Sequence, residues 1–534
     1  MTKNLARITT SGPKLLVAVF LIAVVSAQVA QVYAADYTSY QKHIIRNING
    51  ARALDDVKVL ASSDYEGRLA GDTGQYMAAE YIAGEFAEYG ILPAGDDGTY
   101  YQTFTYPFWH AYPPVELSMV SPPTTWTYGT DYVIFSYSGS VTATTEVVFT
   151  GYGLSMPAPF TYDDYTGIDI AGKIVLVFRH GPNDDGSWNV PAPAMCPSPL
   201  VAWNFGCKAY NAWSHGAVGM ILVNDYRHGP LPGSGTLTAD GYVATFGAVW
   251  AHRTSVAETL LPNLQDLQSQ IDDNLAPAST STGKTVSMTV TTGFDPARPT
   301  MNVLGVIPGT DPSLKDQVVI VSAHYDHLGV GPTGETYYGA DDDASGTACM
   351  LEIARVIGSV GLSVRPKRTI LFAAWTAEEE GLIGSYYYVN NPKYPLENTV
   401  AVIQLDMVGV GTLGLNVYEG NQFPDLYKIV QDAGNVVSVP TYPMGVSSGT
   451  DSYPFYLAGV EAIFLQTTGP HFYYHTPQDT AATISRELLL QTARVAGLTA
   501  WATANDVAVV PPKGLTAPYL EHKQTVTPPA QSTD

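Results

Sequence analysis

Between residues 295 and 505 the chain alternates short apolar runs with longer amphipathic ones, and this alternation restricts the fold more than any other feature. Gln317 to Ser322, Thr369 to Trp375, Val400 to Leu405 and Ala462 to Gln466 read as strands. Ala344 to Ile357, a segment from Gly381, Pro424 to Ala433 and Ser485 to Ala502 read as helices. Strands alternating with helices predict an α/β fold: an open mixed sheet with helices on both faces. In such sheets ligands bind in the crevice beyond the carboxyl ends of the strands.

The residues that carry chemistry fall at those ends. His324 follows the first strand, Glu378 and Glu379 the second, and Asp406 the third. Asp342 sits in the turn Gly339-Ala340-Asp341-Asp342-Asp343 that opens a helix, and His475 lies on the loop after the fourth strand. Taken singly these are ordinary features. A His-x-Asp is common, a Glu pair is usually solvated, and an Asp run before a helix is usually a cap. Five of them in order, each at a strand end or turn, point to a two-metal hydrolase centre, because imidazole nitrogen and carboxylate oxygen are what zinc and harder divalent cations bind.

The roles follow from the donor types. Asp342 has two oxygens and bridges a pair of cations. His324 and Asp406 complete one metal's ligands, and Glu379 and His475 the other's. A shared water or hydroxide fills the open position, made acidic by the metals, which also polarise a scissile carbonyl. Glu378 takes the water's proton and passes it to the leaving amine. Asp326 accepts a hydrogen bond from the second ring nitrogen of His324 and fixes its tautomer. The donor set suits two Zn2+ per chain best, with manganese or cobalt as alternatives. By contrast His327, next after Asp326, reads as a loop residue, His471 lies off the pattern, and Asp341 and Asp343 shape the turn or cap the helix.

The rest of the chain frames this segment. Lys3, Arg7 and Lys14 precede an apolar core from Leu15 to Val25, and Val32-Tyr33-Ala34 is a small-residue cleavage pattern, so residues 1–34 read as a signal peptide. That core is too short to span a bilayer comfortably, so no stable membrane span is expected after cleavage, and the mature protein is expected to be secreted or extracytoplasmic. Residues 37–130 begin with a helical stripe of Ala78, Ala79, Ile82, Phe86 and Tyr89. Residues 131–290 carry strand-like runs split by Gly, Pro and Asp, and read as an inserted β-rich domain. Residues 291–505 resume the first unit, and 506–534 form a Pro-rich flexible tail. Net charge is −23, and removal of the three basic leader residues takes the mature chain to −26. That argues against a nucleic-acid partner. Of the three cysteines, Cys196 and Cys207 are placed to form a disulfide in an oxidising compartment, and Cys349 reads as a small core residue.

The motifs His324-x-Asp326, Gly339 to Gly346, Glu378-Glu379-x-Gly381-Leu382, Asp406-Met407 and His475-Thr476-x-x-Asp479 resemble, in order, the zinc-dependent aminopeptidase family that also includes glutamate carboxypeptidases and glutaminyl cyclases. The insertion, with Gly151-Tyr152-Gly153 and Asp169-x-x-Gly172-Lys173-Ile174, resembles a protease-associated domain. The resemblance implies a secreted two-zinc exopeptidase acting on peptides with a free N-terminus, and suggests Tyr474 as a substrate-carbonyl contact. It departs from the family pattern at Ser452, where many relatives have His. The alternatives are a carboxypeptidase for acidic C-termini, a single-zinc glutaminyl cyclase, or a non-catalytic protein that binds through the protease-associated domain. A carboxypeptidase needs arginines to hold carboxylates, and none occurs between 369 and 485, which leaves Arg68 or the insertion to supply one.

Overall fold

A computed structural model describes residues 39–135, 138–156, 162–182, 205–229, 245–331, 334–359 and 365–506. The expected signal peptide, the proline-rich tail and Cys196, and with it the Cys196–Cys207 pairing, lie outside these residues.

Four parallel strands form the centre of the first unit. They lie in the order Ala462–Thr468, Thr399–Leu405, Val318–His324, Thr369–Trp375. Both flanks are antiparallel: Thr412–Tyr418 pairs with Ala462–Thr468, and the end of Thr280–Ile307 pairs with Thr369–Trp375. The first strand in sequence, Val318–His324, is thus flanked by the second on one side and the third on the other. That reversal of winding opens a crevice at its carboxyl end.

Side-chain alternation explains the layering. Val319, Val321 and Ala323 face one core with Phe372 and Ile403, under helices Ser345–Gly358, Arg486–Asn505, Gly50–Leu60, Thr73–Glu88 and Pro424–Val437. Val318, Ile320, Leu371 and Val402 face a smaller core closed by Tyr388 and Phe455, from helices Ile383–Asn390 and Ser452–Leu457. The sheet is therefore mixed and covered on both faces, and every residue of its three inner strands Val318–His324, Thr369–Trp375 and Thr399–Leu405 is buried.

A second hydrophobic centre lies within 115–290. There Val141–Phe149, Ile174–Phe178, Gly219–Val223 and Gly247–Ala251 pair as parallel neighbours, except where Val141–Phe149 meets Thr280–Ile307 antiparallel. Its strand residues Val147, Ile174, Ile221 and Val249 pack with helix Leu264–Asn274, and Val175, Met220 and Trp250 with helix Phe205–Ser214. Val115, Leu117, Met119 and Trp126 already belong to this core, so its packing begins earlier than residue 131. The reason is a two-stranded ribbon: Tyr101–Met119 pairs along Thr280–Ile307 from Tyr101↔Val303 to Met119↔Val286 and carries the chain from one core into the other. The two units thus share a continuous sheet.

Candidate metal centre

His324 is the last residue of its strand. Its backbone N–H donates to Asp343 Oδ2 at 3.3 Å and its carbonyl accepts from Thr347 Oγ1 at 2.7 Å, so the base of the side chain is held by the helix that follows. The turn 339–344 begins at Gly339, which has φ +58 and whose missing Cβ leaves room for the His327 ring. Asp343 uses both oxygens on backbone: Oδ1 accepts from Gly346 N–H and Met407 N–H, and Oδ2 from His324 N–H. It is a clamp between three elements. Asp341 is occupied likewise by Gly409 and Val410 N–H and by His471 Nδ1 at 2.6 Å.

Asp342 is left with its carboxylate facing two imidazoles. Its Oδ1 lies 3.1 Å from His324 Nε2 and its Oδ2 3.0 Å from His475 Nε2. On the first side Asp406 Oδ1 stands 3.7 Å from His324 Nε2, while Asp406 Oδ2 accepts from Thr450 Oγ1. On the second side Glu379 Oε2 lies 2.9 Å from His475 Nε2. Glu378 Oε2 faces the same crevice, 4.0 Å from His324 Nε2. The structure therefore brings His324, Asp342, Glu378, Glu379, Asp406 and His475 to one place, along the carboxyl ends of the parallel strands.

Two sequence-derived expectations change in detail. Asp326 Oδ1 is 3.7 Å from His324 Nδ1, too far for a hydrogen bond, because the carboxylate turns its other oxygen to the Glu379 backbone N–H at 3.3 Å. His327 is no loose loop residue. It is fully buried, its Nδ1 is 2.7 Å from Glu379 Oε1, and it clusters with Asp342, Glu379 and His475. The signal was present in the closely spaced His324-Tyr325-Asp326-His327, where a loop leaving a strand end carries both imidazoles inward. Tyr474 stacks on the His475 ring with centroids 3.7 Å apart and remains about half exposed.

Whether cations suit this donor set is tested by the buried atoms that lack hydrogen-bond partners. His324 Nδ1 and Nε2, Asp342 Oδ2, Asp406 Oδ1 and His475 Nε2 are all of this kind. Buried polar atoms are normally paired, and all of these except His324 Nδ1 converge on the two faces of Asp342. Electrostatics agree. Burial pushes the Glu378 carboxyl well above its usual range, with Glu379, Asp451 and Asp406 adding to it against His324. Burial raises the Asp406 carboxyl too, against His324. Asp342 goes the other way: burial alone would raise its carboxyl, but the His324 and His475 imidazoles facing its two oxygens outweigh that and hold it well below the usual range. A pocket with this many buried carboxylates needs cationic charge.

Arg68 supplies part of that charge, in a structural position that the sequence did not indicate. The side chain is fully buried and donates to the carbonyls of Leu60, Tyr325, Tyr338 and Gly339. It ties the loop after His324 to the turn before Asp342.

Residues 302–500 match the family described as Peptidase family M28. The chain is 34% identical over 185 residues to the aminopeptidase YwaD of Bacillus subtilis (strain 168), an alignment covering 33% of this chain and 38% of that protein. It is 24% identical over 427 residues to a probable leucine aminopeptidase 2 of Aspergillus oryzae, covering 74% of each. The fold is similar to that of an aminopeptidase from Aneurinibacillus sp. strain AM-1, with TM-score 0.63, 23% identity and coverage of 89% of this chain and 97% of that one. It is also similar to a zinc aminopeptidase from Bacillus subtilis, with TM-score 0.61 and 21% identity over 86% of this chain and 96% of that one.

Proposed function

We propose that this chain, whose residues 302–500 match peptidase family M28, is a zinc-dependent aminopeptidase that removes N-terminal residues from peptides with two zinc ions held by His324, Asp342, Glu379, Asp406 and His475. The observation that carries the proposal is the Asp342 carboxylate between two imidazoles, one on each oxygen, each with its own second acid. When bound, the zinc ions supply Lewis-acid activation of water and of the peptide carbonyl.

The chain's own residues do the rest. Glu378 is beside the cradle but outside the ligand set, so it accepts the proton of the attacking water and returns it to the departing amine. Asp326 and His327 position Glu379, one through its backbone and one through its side chain. Tyr474 flanks His475 at the exposed rim, where a substrate carbonyl would enter.

A free α-amine is the terminus this site favours. Its walls are carboxylates, and Arg68, one of the two sources of the arginine that a carboxypeptidase would require, already has its donors on four backbone carbonyls. The mature protein acts outside the cytoplasm, as the basic and apolar leader suggests. No helix of the described residues is long and apolar enough to cross a membrane.

The test pairs metal analysis with matched peptides carrying free or acetylated N-termini. Zinc-dependent cleavage confined to free amines is the expected result. Equal cleavage of blocked peptides, or cleavage restricted to peptides with a free acidic C-terminus, would refute the aminopeptidase assignment.

A further inference from the structure

The second unit also gathers chemistry-bearing side chains at the ends of its strands. Strands Ile174–Phe178 and Gly219–Val223 run parallel and end in register, Phe178 beside Val223. His180 lies two residues beyond the first strand, Asp225 two beyond the second, and His228 in the turn that follows. Their side chains meet. His180 Nδ1 is 2.7 Å from Asp225 Oδ2, and His228 Nδ1 is 2.9 Å from Asp225 Oδ1. The two rings are 4.0 Å apart at 31°.

We propose that His180, Asp225 and His228 form a third divalent-metal site, separate from the peptidase centre, that takes a zinc-class cation. Two imidazoles and one carboxylate with positions open to solvent are a donor set for zinc, copper or nickel. One donor atom from each of the three side chains lies within 4.8 Å of the others, close enough for a shared cation to draw them together. Asp225 is fully buried, whereas the His180 side chain is 19% and the His228 side chain 42% exposed, which leaves an entry path and room for water ligands.

The scaffold is rigid. Lys208 Nζ donates to the His180 carbonyl at 2.7 Å, and Arg253 Nη1 donates to the His228 carbonyl at 3.0 Å and to the Asp225 carbonyl. Both histidines are therefore fixed at the backbone by buried cations, the support a preorganised site needs. Arg227 is one cation beside the carboxylate, its Nε 3.8 Å from Asp225 Oδ1, and Arg179 also feels its charge. The Arg227 guanidinium turns to Asp272 Oδ2 at 2.7 Å, which offsets its charge. A bound cation would pin together the loops that leave two neighbouring strands.

Zinc per chain after equilibrium dialysis of the full mature protein tests this. The His180→Ala/His228→Ala variant is expected to hold one zinc fewer than wild type and to cleave peptides at the wild-type rate. Asp342→Ala, which dismantles the peptidase centre, is expected to keep the third zinc, so the two assignments fail separately. Equal zinc content in wild type and the double histidine variant would overturn the proposal. Should that variant not fold, His228→Gln alters a half-exposed side chain only. It is expected to weaken the third zinc at least ~10-fold, the scale on which a lost metal-site contact shows, and unchanged affinity would equally overturn the proposal.

Discussion

Replacing Arg68 by methionine is expected to cost the first unit several kcal/mol while touching none of the proposed zinc ligands. The guanidinium donates to four carbonyls at 2.6–2.8 Å, and the residue has no solvent exposure. Methionine of similar length fills the space but donates nothing. Leaving a buried acceptor unsatisfied costs about 1–3 kcal/mol, and even the low end for four carbonyls gives roughly 4 kcal/mol. The loss of positive charge near Asp326, Asp342, Asp343 and Asp479 works in the same direction. For a unit of roughly 300 residues, roughly 4 kcal/mol corresponds to a fall of about 6 °C in thermal midpoint. Differential scanning calorimetry of the zinc-loaded protein measures it, with the transition assigned to the first unit by coincident loss of peptide turnover. Arg68→Lys should recover less than half of the loss, because one ammonium cannot reach Leu60 and Gly339 at once. A methionine variant within 2 °C of wild type would refute the reasoning, since it would mean that those carbonyls find other donors.

Three further outcomes follow from the same geometry. Glu378→Gln should keep its zinc content by elemental analysis and lose at least ~100-fold in kcat, the scale of general-base assistance; a zinc-replete variant of normal kcat would remove Glu378 from that role. His327→Ala should weaken zinc ~10–100-fold in a chelator competition, because Glu379 loses its 2.7 Å partner, with turnover largely restored at saturating zinc. In the second unit, burial raises the Asp164 carboxyl to about 7 against hydrogen bonds from Leu154 N–H and Tyr162. Its folded-state value lies above the unfolded one, so its contribution is full below about pH 4 and is lost as pH rises toward 7. The midpoint of wild type relative to Asp164→Asn should fall across that window, and a flat difference would show that the carboxyl is ionised in the folded state.

The inner strands were legible because they are buried on both faces and so read as unbroken apolar runs. Thr369 to Trp375 was placed to the residue, and the final helix, expected from Ser485, starts at Arg486 with the Ser485 hydroxyl accepting from Leu488 N–H. Strand Thr412–Tyr418 carries no clear strand signal in its sequence. Gly414 interrupts it, its outer residues are exposed, and its burial alternates too weakly to distinguish it from a loop. The ribbon Tyr101–Met119 was equally hidden. Pro107, Pro113 and Pro114 break its pattern, and the register shifts between Tyr106 and Phe108 and between Tyr112 and Glu116 are where the pairing accommodates them. A boundary drawn from composition therefore fell at 131, inside a stretch already committed to the second core.

The site shows the same division between what sequence order carries and what only packing reveals. Donor types and strand ends pointed to His324, Asp342, Glu378, Glu379, Asp406 and His475, and one crevice does contain them all. Their supports are a different matter. Asp343 and Asp341 differ from Asp342 only in which backbone N–H groups claim their oxygens, and nothing in an Asp-Asp-Asp run says which one is left over. Arg68 reaches the centre from a stretch more than 250 residues upstream of His324. What decides the central carboxylate is thus saturation: its neighbours are satisfied by backbone donors, and Asp342 keeps an oxygen for each imidazole because no backbone group competes for that face.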